Sequence, residues 1–215
     1  FFHFYLQIRI CKPFIFKFLS VETMYSAAMF LSIEISFNLS NFVLRFGTTV
    51  VTVGNKDVRG CVACGFCYTH GRCVFDDEVN KIAELFEKAD GLVIGSPVYY
   101  SSPNATVIAL LDRLFYSSHF DKTMKVGAAV VIARRGGCSA TFDVLNKYFT
   151  ICGMPIASSQ YWNSVHGRTP GEAQHDAEGL QTMRTLARNM SFLIKSIALG
   201  KEKFGLPEEE SRLVT

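Results

Sequence analysis

Glycine and aspartate are both missing from the first 46 residues of this 215-residue chain. These are two of the residue types that most readily make tight turns, so no compact strand–turn–helix unit is legible there. Long apolar runs are missing as well. No stretch of eighteen apolar residues occurs, so no membrane-spanning helix is indicated. A large excess of either charge is absent too: the net value is +3 and dispersed, too little for a nucleic-acid binder built on a basic face. No leader with a small-residue cleavage site is seen. Cys11, Cys138 and Cys152 are scattered without spacing partners. A disulfide framework is therefore disfavoured, and a reducing, cytoplasmic setting is expected. The length suits one well-buried domain.

The remaining four of seven cysteines fall in one stretch, GCVACGFCYTHGRCVFDD, as Cys61, Cys64, Cys67 and Cys73. Their spacing is C-x2-C-x2-C-x5-C. A glycine-containing turn at His70-Gly71 can bring the fourth thiol back toward the other three. Cubane iron–sulfur clusters need four thiolates held in this way. Zinc also accepts four thiolates, although its usual site pairs two distant C-x2-C arms. Reduced structural thiols remain the alternative.

Residues 1–46 differ from the rest. They hold ten of nineteen phenylalanines, and all sixteen glycines lie from Gly47 onward. A strand over residues 3–10 and a helix over 21–33 fit the apolarity. Caps are weak, with Ser20 as a start and Asn38 or Asn41 as an end. The segment reads as a divergent first βα unit, a membrane-surface or partner-binding extension, or an artefactual translation. The composition shift and the opening on Phe1 favour the last. The chain thus divides into an atypical segment 1–46, a domain 47–205 and a charged, fraying tail 206–215.

From Thr48 strand and helix alternate. TTVVTV (48–53) is β-branched and reads as a buried strand. Residues 78–89 form a helix with Val79, Ile82, Leu85 and Phe86 on one face, and Asp76-Asp77 suit its positive end. GLVIGS (91–96) is a strand apolar on both faces. A helix follows over 104–116, then a strand over 125–133 and a helix over 140–151. A last strand is expected at 154–158, and a long helix over 172–199. This order implies a doubly wound parallel sheet between two helical layers. Ligands then sit outside the carboxyl ends of the strands. Three unusual loops are placed there by this reading: the cysteine stretch, SPVYYSSPNA and ARRGGCSATF.

In the second loop Ser96, Ser101, Ser102 and backbone amides offer hydrogen bonds, and Tyr99 and Tyr100 offer flat faces to a planar heteroaromatic ring. The plainer reading is that both tyrosines pack. Arg134-Arg135-Gly136-Gly137 joins cations to close backbone approach, suited to a phosphate or an anionic ring edge; the alternative is a tight turn with solvated arginines. Beyond these, Tyr161-Trp162-Asn163 and His166 make an aromatic, polar loop. His166 could donate a proton or simply be solvated.

From about residue 49 to 205 the chain resembles the flavodoxin-like NAD(P)H-dependent FMN reductases, and within them the iron–sulfur flavoproteins. The resemblance rests on GCVACGFCYTHGRCVFDD, ADGLVIGSPVYYSSPNATVIALLDRLFYS and RRGGCSATFDVLNKYF, with YWNSVHG and EGLQTMRTLARNM in support. It implies a five-stranded flavodoxin-order sheet, bound FMN, NAD(P)H as electron donor, and a homodimer or homotetramer. The implied flavin site comprises Ser96, Pro97, Val98, Tyr99, Ser101, Asn104, Arg134, Gly136 and Gly137. Cys61, Cys64, Cys67 and Cys73 would hold a [4Fe–4S] cluster, close to a flavin that often belongs to a neighbouring subunit. The electron acceptor would be a small molecule such as a quinone, or a redox protein. No side chain is required as an acid or base, so no catalytic residue is named. The family's first strand ends in a loop like G-S-P-R-x-x-G-N-T that binds the FMN phosphate at a helix N-terminus. No counterpart is legible in residues 1–46, and the missing strand would be the central one: if these residues are genuine, poor FMN binding and a damaged fold are expected, and if they are a misread start, an ordinary member of the family is expected.

Overall fold

The computed structural model describes residues 47–53, 56–208, 210, 211 and 213, and the backbone alone of 6–7 and 15–20. In chain order the strands are β1 (Leu6–Gln7), β2 (Ile15–Ser20), β3 (Gly47–Thr52), β4 (Gly91–Tyr99), β5 (Ser102–Pro103), β6 (Val126–Ala133) and β7 (Ser164–His166). The helices are α1 (Phe66–His70), α2 (Glu78–Glu87), α3 (Ala105–Ser117), α4 (Cys138–Thr150) and α5 (Ala177–Phe204), with one 3-10 turn at Glu172–His175.

Parallel pairing organises these elements. The sheet order is β1-β3-β2-β4-β6-β7, with β5 folded back on β4. The five strands from β3 to β7 along this order are mutually parallel, and β1 is antiparallel at one edge. β2 lies inside the sheet, pairing Phe18 with Val50 on one side and Val93 on the other. The sequence pattern had suggested a strand at 3–10, whereas the backbone puts the six-residue strand at Ile15–Ser20 and only Leu6–Gln7 pairs in the earlier stretch. Parallel pairing on both sides selects this segment, and such non-local pairing leaves no signature in local periodicity. The helix suggested for 21–33 lies outside the described residues.

Every residue of β6 is buried, as are the first seven of β4. Alternating side chains feed two cores. Leu92, Ile94, Ala129 and Val131 meet Val79, Ile82 and Phe86 of α2, Leu110, Leu111 and Leu114 of α3, and Leu145 and Phe149 of α4. Val93, Val126, Ala128, Val130 and Ile132 meet Met183, Leu186, Met190 and Ile194 of α5 on the other face. This is a three-layer, flavodoxin-like α/β fold. Among the described residues no helix is long and apolar enough to cross a membrane.

Boundaries differ from expectation chiefly at the last strand. Residues 154–158 make only an isolated bridge, Gly127 with Ile156; the parallel strand beside β6 is Ser164–His166. Asn163 enforces that choice. Its buried side chain donates to the Ala129 carbonyl at 3.0 Å, and its own carbonyl accepts from Val131 N at 2.9 Å. The long helix starts at Ala177, where Asp176 caps it by accepting from Gly179 N at 2.9 Å.

Close packing against the sheet makes two glycines indispensable. A Cβ on Gly127 would lie 2.5 Å from the Phe149 ring, and one on Gly91 would lie 2.7 Å from the Val126 carbonyl oxygen. Gly127→Ala and Gly91→Ala are each expected to cost about 1–3 kcal/mol by overpacking, seen as a lower urea midpoint at unchanged slope.

Candidate functional site

The carboxyl edge of the sheet brings together the loops after β4, β6 and β7. Ser96 is fully buried; its hydroxyl donates to the Pro97 carbonyl at 2.8 Å and accepts from Asn104 N at 2.9 Å. Asn104 in turn caps α3, accepting from Thr106 N at 2.9 Å and Val107 N at 3.4 Å. Both side chains are spent on shaping the loop. What they leave for a ligand is the backbone. β5 closes the loop by pairing Val98 with Pro103 and Tyr99 with Ser102. The turn residues Tyr100 and Ser101 are held at φ of 50° and 59°, a left-handed conformation that costs on the order of 1 kcal/mol per residue. Tyr100 is fully exposed and Tyr99 is 41% exposed, so Tyr100 does not pack into the protein.

The second loop docks onto the first. Gly137 has φ 90°, and a Cβ there would fall 2.9 Å from Ser101 Cα, Ser101 Oγ and Val98 Cγ1. Only glycine allows this approach. Arg134, Arg135 and Gly136 are exposed beside it. Gly137 also starts α4 without any side-chain cap, leaving that helix's first amides open toward the edge. Thus Ser96, Pro97, Val98, Tyr99, Ser101 and Asn104 belong to one loop and Arg134, Gly136 and Gly137 to the other, and the two meet where Gly137 approaches Ser101 and Val98. The exposed tyrosine, the cations and the open amides of these loops are chemically suited to a flat, anionic ring system such as a flavin. The segment expected to bind a phosphate, after β2, lies outside the described residues.

The cysteine stretch sits elsewhere. Gly65 and Gly71, at φ 73° and 62°, bracket α1, and Ala63 is also left-handed at φ 52°. Cys67 is buried on α1, Cys61 and Cys64 are exposed, and Cys73 is half-buried. Asn80 staples the returning strand of the loop, accepting from Cys73 N at 3.0 Å and donating to the carbonyls of Cys73 and Phe75. Underneath lies Arg113, 1% exposed. Its guanidinium donates to Asp77 Oδ2 at 2.7 Å and Oδ1 at 2.9 Å, to the Arg59 carbonyl at 3.2 Å, and twice to Cys73 Sγ at 3.2 Å. The Tyr68 and Tyr116 hydroxyls are hydrogen-bonded to each other.

Arg113 and Tyr116 belong to the last turns of α3, whose first turn adjoins the flavin-type loop. The cysteine stretch is therefore about 12–16 Å along the helix from that loop, at 1.5 Å per residue. Cys61 shares a pocket of about 670 Å³ with Tyr116, Tyr148, Cys152, Lys122 and Thr123, the last two just before the amino end of β6. Placement of the cysteine turn at the carboxyl edge is thus corrected. From residue 56 the chain runs away from that edge, and the Arg113–Asp77–Cys73 anchor holds the cysteine stretch over α3. The donor chemistry of four thiols fits a cluster. Among the described residues, however, no group of three or more His, Cys, Asp or Glu side chains is placed to hold a metal ion.

Electrostatics sharpen this picture. Burial opposes the Arg113 charge, but its hydrogen bonds to Asp77 and Cys73 outweigh that and push its pKa further up. Nearby, burial pushes the Lys122 ammonium down, while it donates to the carbonyls of Ser118 at 2.6 Å and Phe120 at 3.1 Å. Burial, aided by a 2.5 Å hydrogen bond to Asp112, pushes the Tyr148 phenol up. Arg113 had no place among the expected functional residues. The available signal was a cation between Leu110, Leu111 and Leu114 on the apolar face of a helix. Tyr161 and Trp162 are exposed, and His166 points to Asp176, with Nδ1 3.5 Å from Oδ2.

A parallel sheet with its ligand-type loops at the carboxyl edge defines a flavodoxin-like protein. Solved structures agree: an oxidoreductase of Corynebacterium diphtheriae superposes with TM-score 0.59 at 16% identity, covering 86% of this chain and 99% of that one. A flavodoxin from the domain Archaea gives 0.51 at 13%, covering 84% and 99%. A profile of the NADPH-dependent FMN reductase family matches residues 38–169. An iron–sulfur flavoprotein of Methanosarcina thermophila is 32% identical over 162 residues, 74% of this chain and 84% of that protein. One of Methanocaldococcus jannaschii is 30% identical over 158 residues, 70% and 82%. The chain belongs to the NADPH-dependent FMN reductase family, in its iron–sulfur flavoprotein branch.

The buried anchor yields a stability prediction. Arg113→Met leaves Asp77 without its partner and is expected to cost about 3 kcal/mol, read from urea unfolding. Arg113→Lys recovers little, because an ammonium cannot reproduce the forked contacts to Asp77 and Cys73.

Proposed function

We propose that the chain is an FMN-dependent NAD(P)H oxidoreductase that passes electrons to a small acceptor such as a quinone, in the cytoplasm and as a homodimer or homotetramer. The observation that carries this reading is the docking of Gly137 on Ser101 and Val98, which joins two otherwise separate loops into one seat. When bound, the flavin supplies hydride acceptance from the nicotinamide and electron delivery to the acceptor. The chain's part is to bind and orient. Ser96 and Asn104 fix the course of one loop, Pro97 and Val98 stiffen it, and Tyr99 and Ser101 present exposed groups. Arg134 offers a cation to an anionic ring edge, and Gly136 and Gly137 keep the backbone free of side chains. No side chain has to carry a proton for hydride transfer, and none is assigned that role.

Cys61, Cys64, Cys67 and Cys73 would hold a [4Fe–4S] cluster. This is supported by the thiol spacing and by relatives that bear the name iron–sulfur flavoprotein. Ligand sites of this kind form together with their metal more often than ahead of it. A second reading, an electron carrier between protein partners, is favoured by the exposure of Cys61 and Cys64 on the outer surface.

Anaerobic purification with an absorption spectrum and assays of FMN and iron tests the whole reading. Flavin bands with about four irons per chain are expected; a chain that never takes up FMN would sink it. Rapid NAD(P)H oxidation with a quinone supports the reductase, whereas cluster reduction without turnover supports the carrier. Gly137→Ala is expected to weaken FMN binding about tenfold, since a Cβ at φ 90° forces the two loops apart. Fluorescence quenching of added FMN measures it.

A further inference from the structure

The structure assigns a reactive thiol that the flavin reading does not use: Cys138, with His166 as its base and Asp176 orienting the imidazole, forms a modification site for small soft electrophiles, hydroperoxides first among them. Three elements meet here. Cys138 is the first residue of α4, His166 ends β7, and Asp176 precedes α5. Cys138 Sγ lies 3.8 Å from His166 Nε2. His166 Nδ1 lies 3.5 Å from Asp176 Oδ2.

Asp176 is itself immobilised. Its Oδ2 accepts from His166 N at 2.7 Å and its Oδ1 from Gly179 N at 2.9 Å. A carboxylate facing Nδ1 favours the tautomer with its proton there, which leaves the Nε2 lone pair facing the thiol. The order nucleophile, imidazole, carboxylate is the geometry that activates cysteine in general. Two further features suit it. Gly137 leaves the α4 amides uncapped beside the sulfur, and a helix N-terminus stabilises negative charge as it develops. Burial pushes the Cys138 thiol up, so the resting form keeps its proton and reaction depends on a base within reach.

With hydrogen peroxide the step balances as follows. The Cys138 proton passes to His166 Nε2, the sulfur attacks one peroxide oxygen, and an S–O bond forms as the O–O bond breaks. Sulfur is oxidised by two electrons to sulfenic acid. The departing hydroxide takes the proton from His166 and leaves as water.

The test uses the full chain as purified, treated with limiting iodoacetamide at neutral pH and read residue by residue by mass spectrometry. Cys152 is also half-buried and serves as the internal reference. Cys138 is expected to alkylate about tenfold faster than Cys152. His166→Gln should bring Cys138 down to the reference rate without altering Cys152. Peroxide followed by a sulfenic-acid trap should label Cys138 before Cys152. Equal alkylation rates in the unaltered chain would overturn the assignment whatever the variant does, and so would a His166→Gln chain in which Cys138 keeps its speed.

Discussion

Burial of β4 and β6 on both faces is the constraint from which the rest follows. Here these strands are paired in parallel, and a parallel sheet needs helices over both of its faces. That forces each connection to cross over and return, and it leaves every strand ending at the same edge. Here the edge collects the loop after β4, the loop after β6 and the end of β7. Each loop alone is unremarkable in size. Their function comes from arriving at one place, with Gly137 permitting the last few ångströms of approach.

A second, independent anchor organises the cysteine stretch. Arg113 joins the Asn80 contacts and the Tyr68–Tyr116 hydrogen bond in holding the segment between β3 and α2, where Cys61 and Cys64 are exposed. A guanidinium can satisfy a carboxylate and a sulfur at once because its donors are fixed in a plane. The cost of burying it is offset by Asp77, which also caps α2 through Val79 N. One residue thus ties the thiol loop, the start of α2 and the apolar face of α3 together. The same tie keeps the thiols about a helix length from the loop after β4 in the same chain.

The alternation of strands and helices from Thr48 was legible because it rests on local signals. Parallel strands are apolar throughout, and α2, α3, α4 and α5 carry one apolar stripe each. The two loops after β4 and β6 were legible as loops for the same reason, since they follow strands of this kind at the edge where ligands bind in such sheets. Less legible were β2 and β7. Ile15–Ser20 becomes an interior strand through pairing with β3 and β4, and Ser164–His166 pairs with β6 because Asn163 locks it there. Neither fact is written in the periodicity of a six-residue or three-residue segment.

The chain's order of residues determined by itself the fold class, the family and the chemical repertoire: thiols at cluster spacing, a tyrosine-bearing turn, and arginines before paired glycines. These depend on short-range patterns that survive without coordinates. The tertiary structure alone decided which of these groups meet. It separated the cysteines from the loops after β4 and β6, set Arg113 beneath Cys73, and brought Cys138, His166 and Asp176 from three distant segments into one cluster. Contacts of that kind are fixed by packing and crossover direction, where residues far apart in sequence become neighbours.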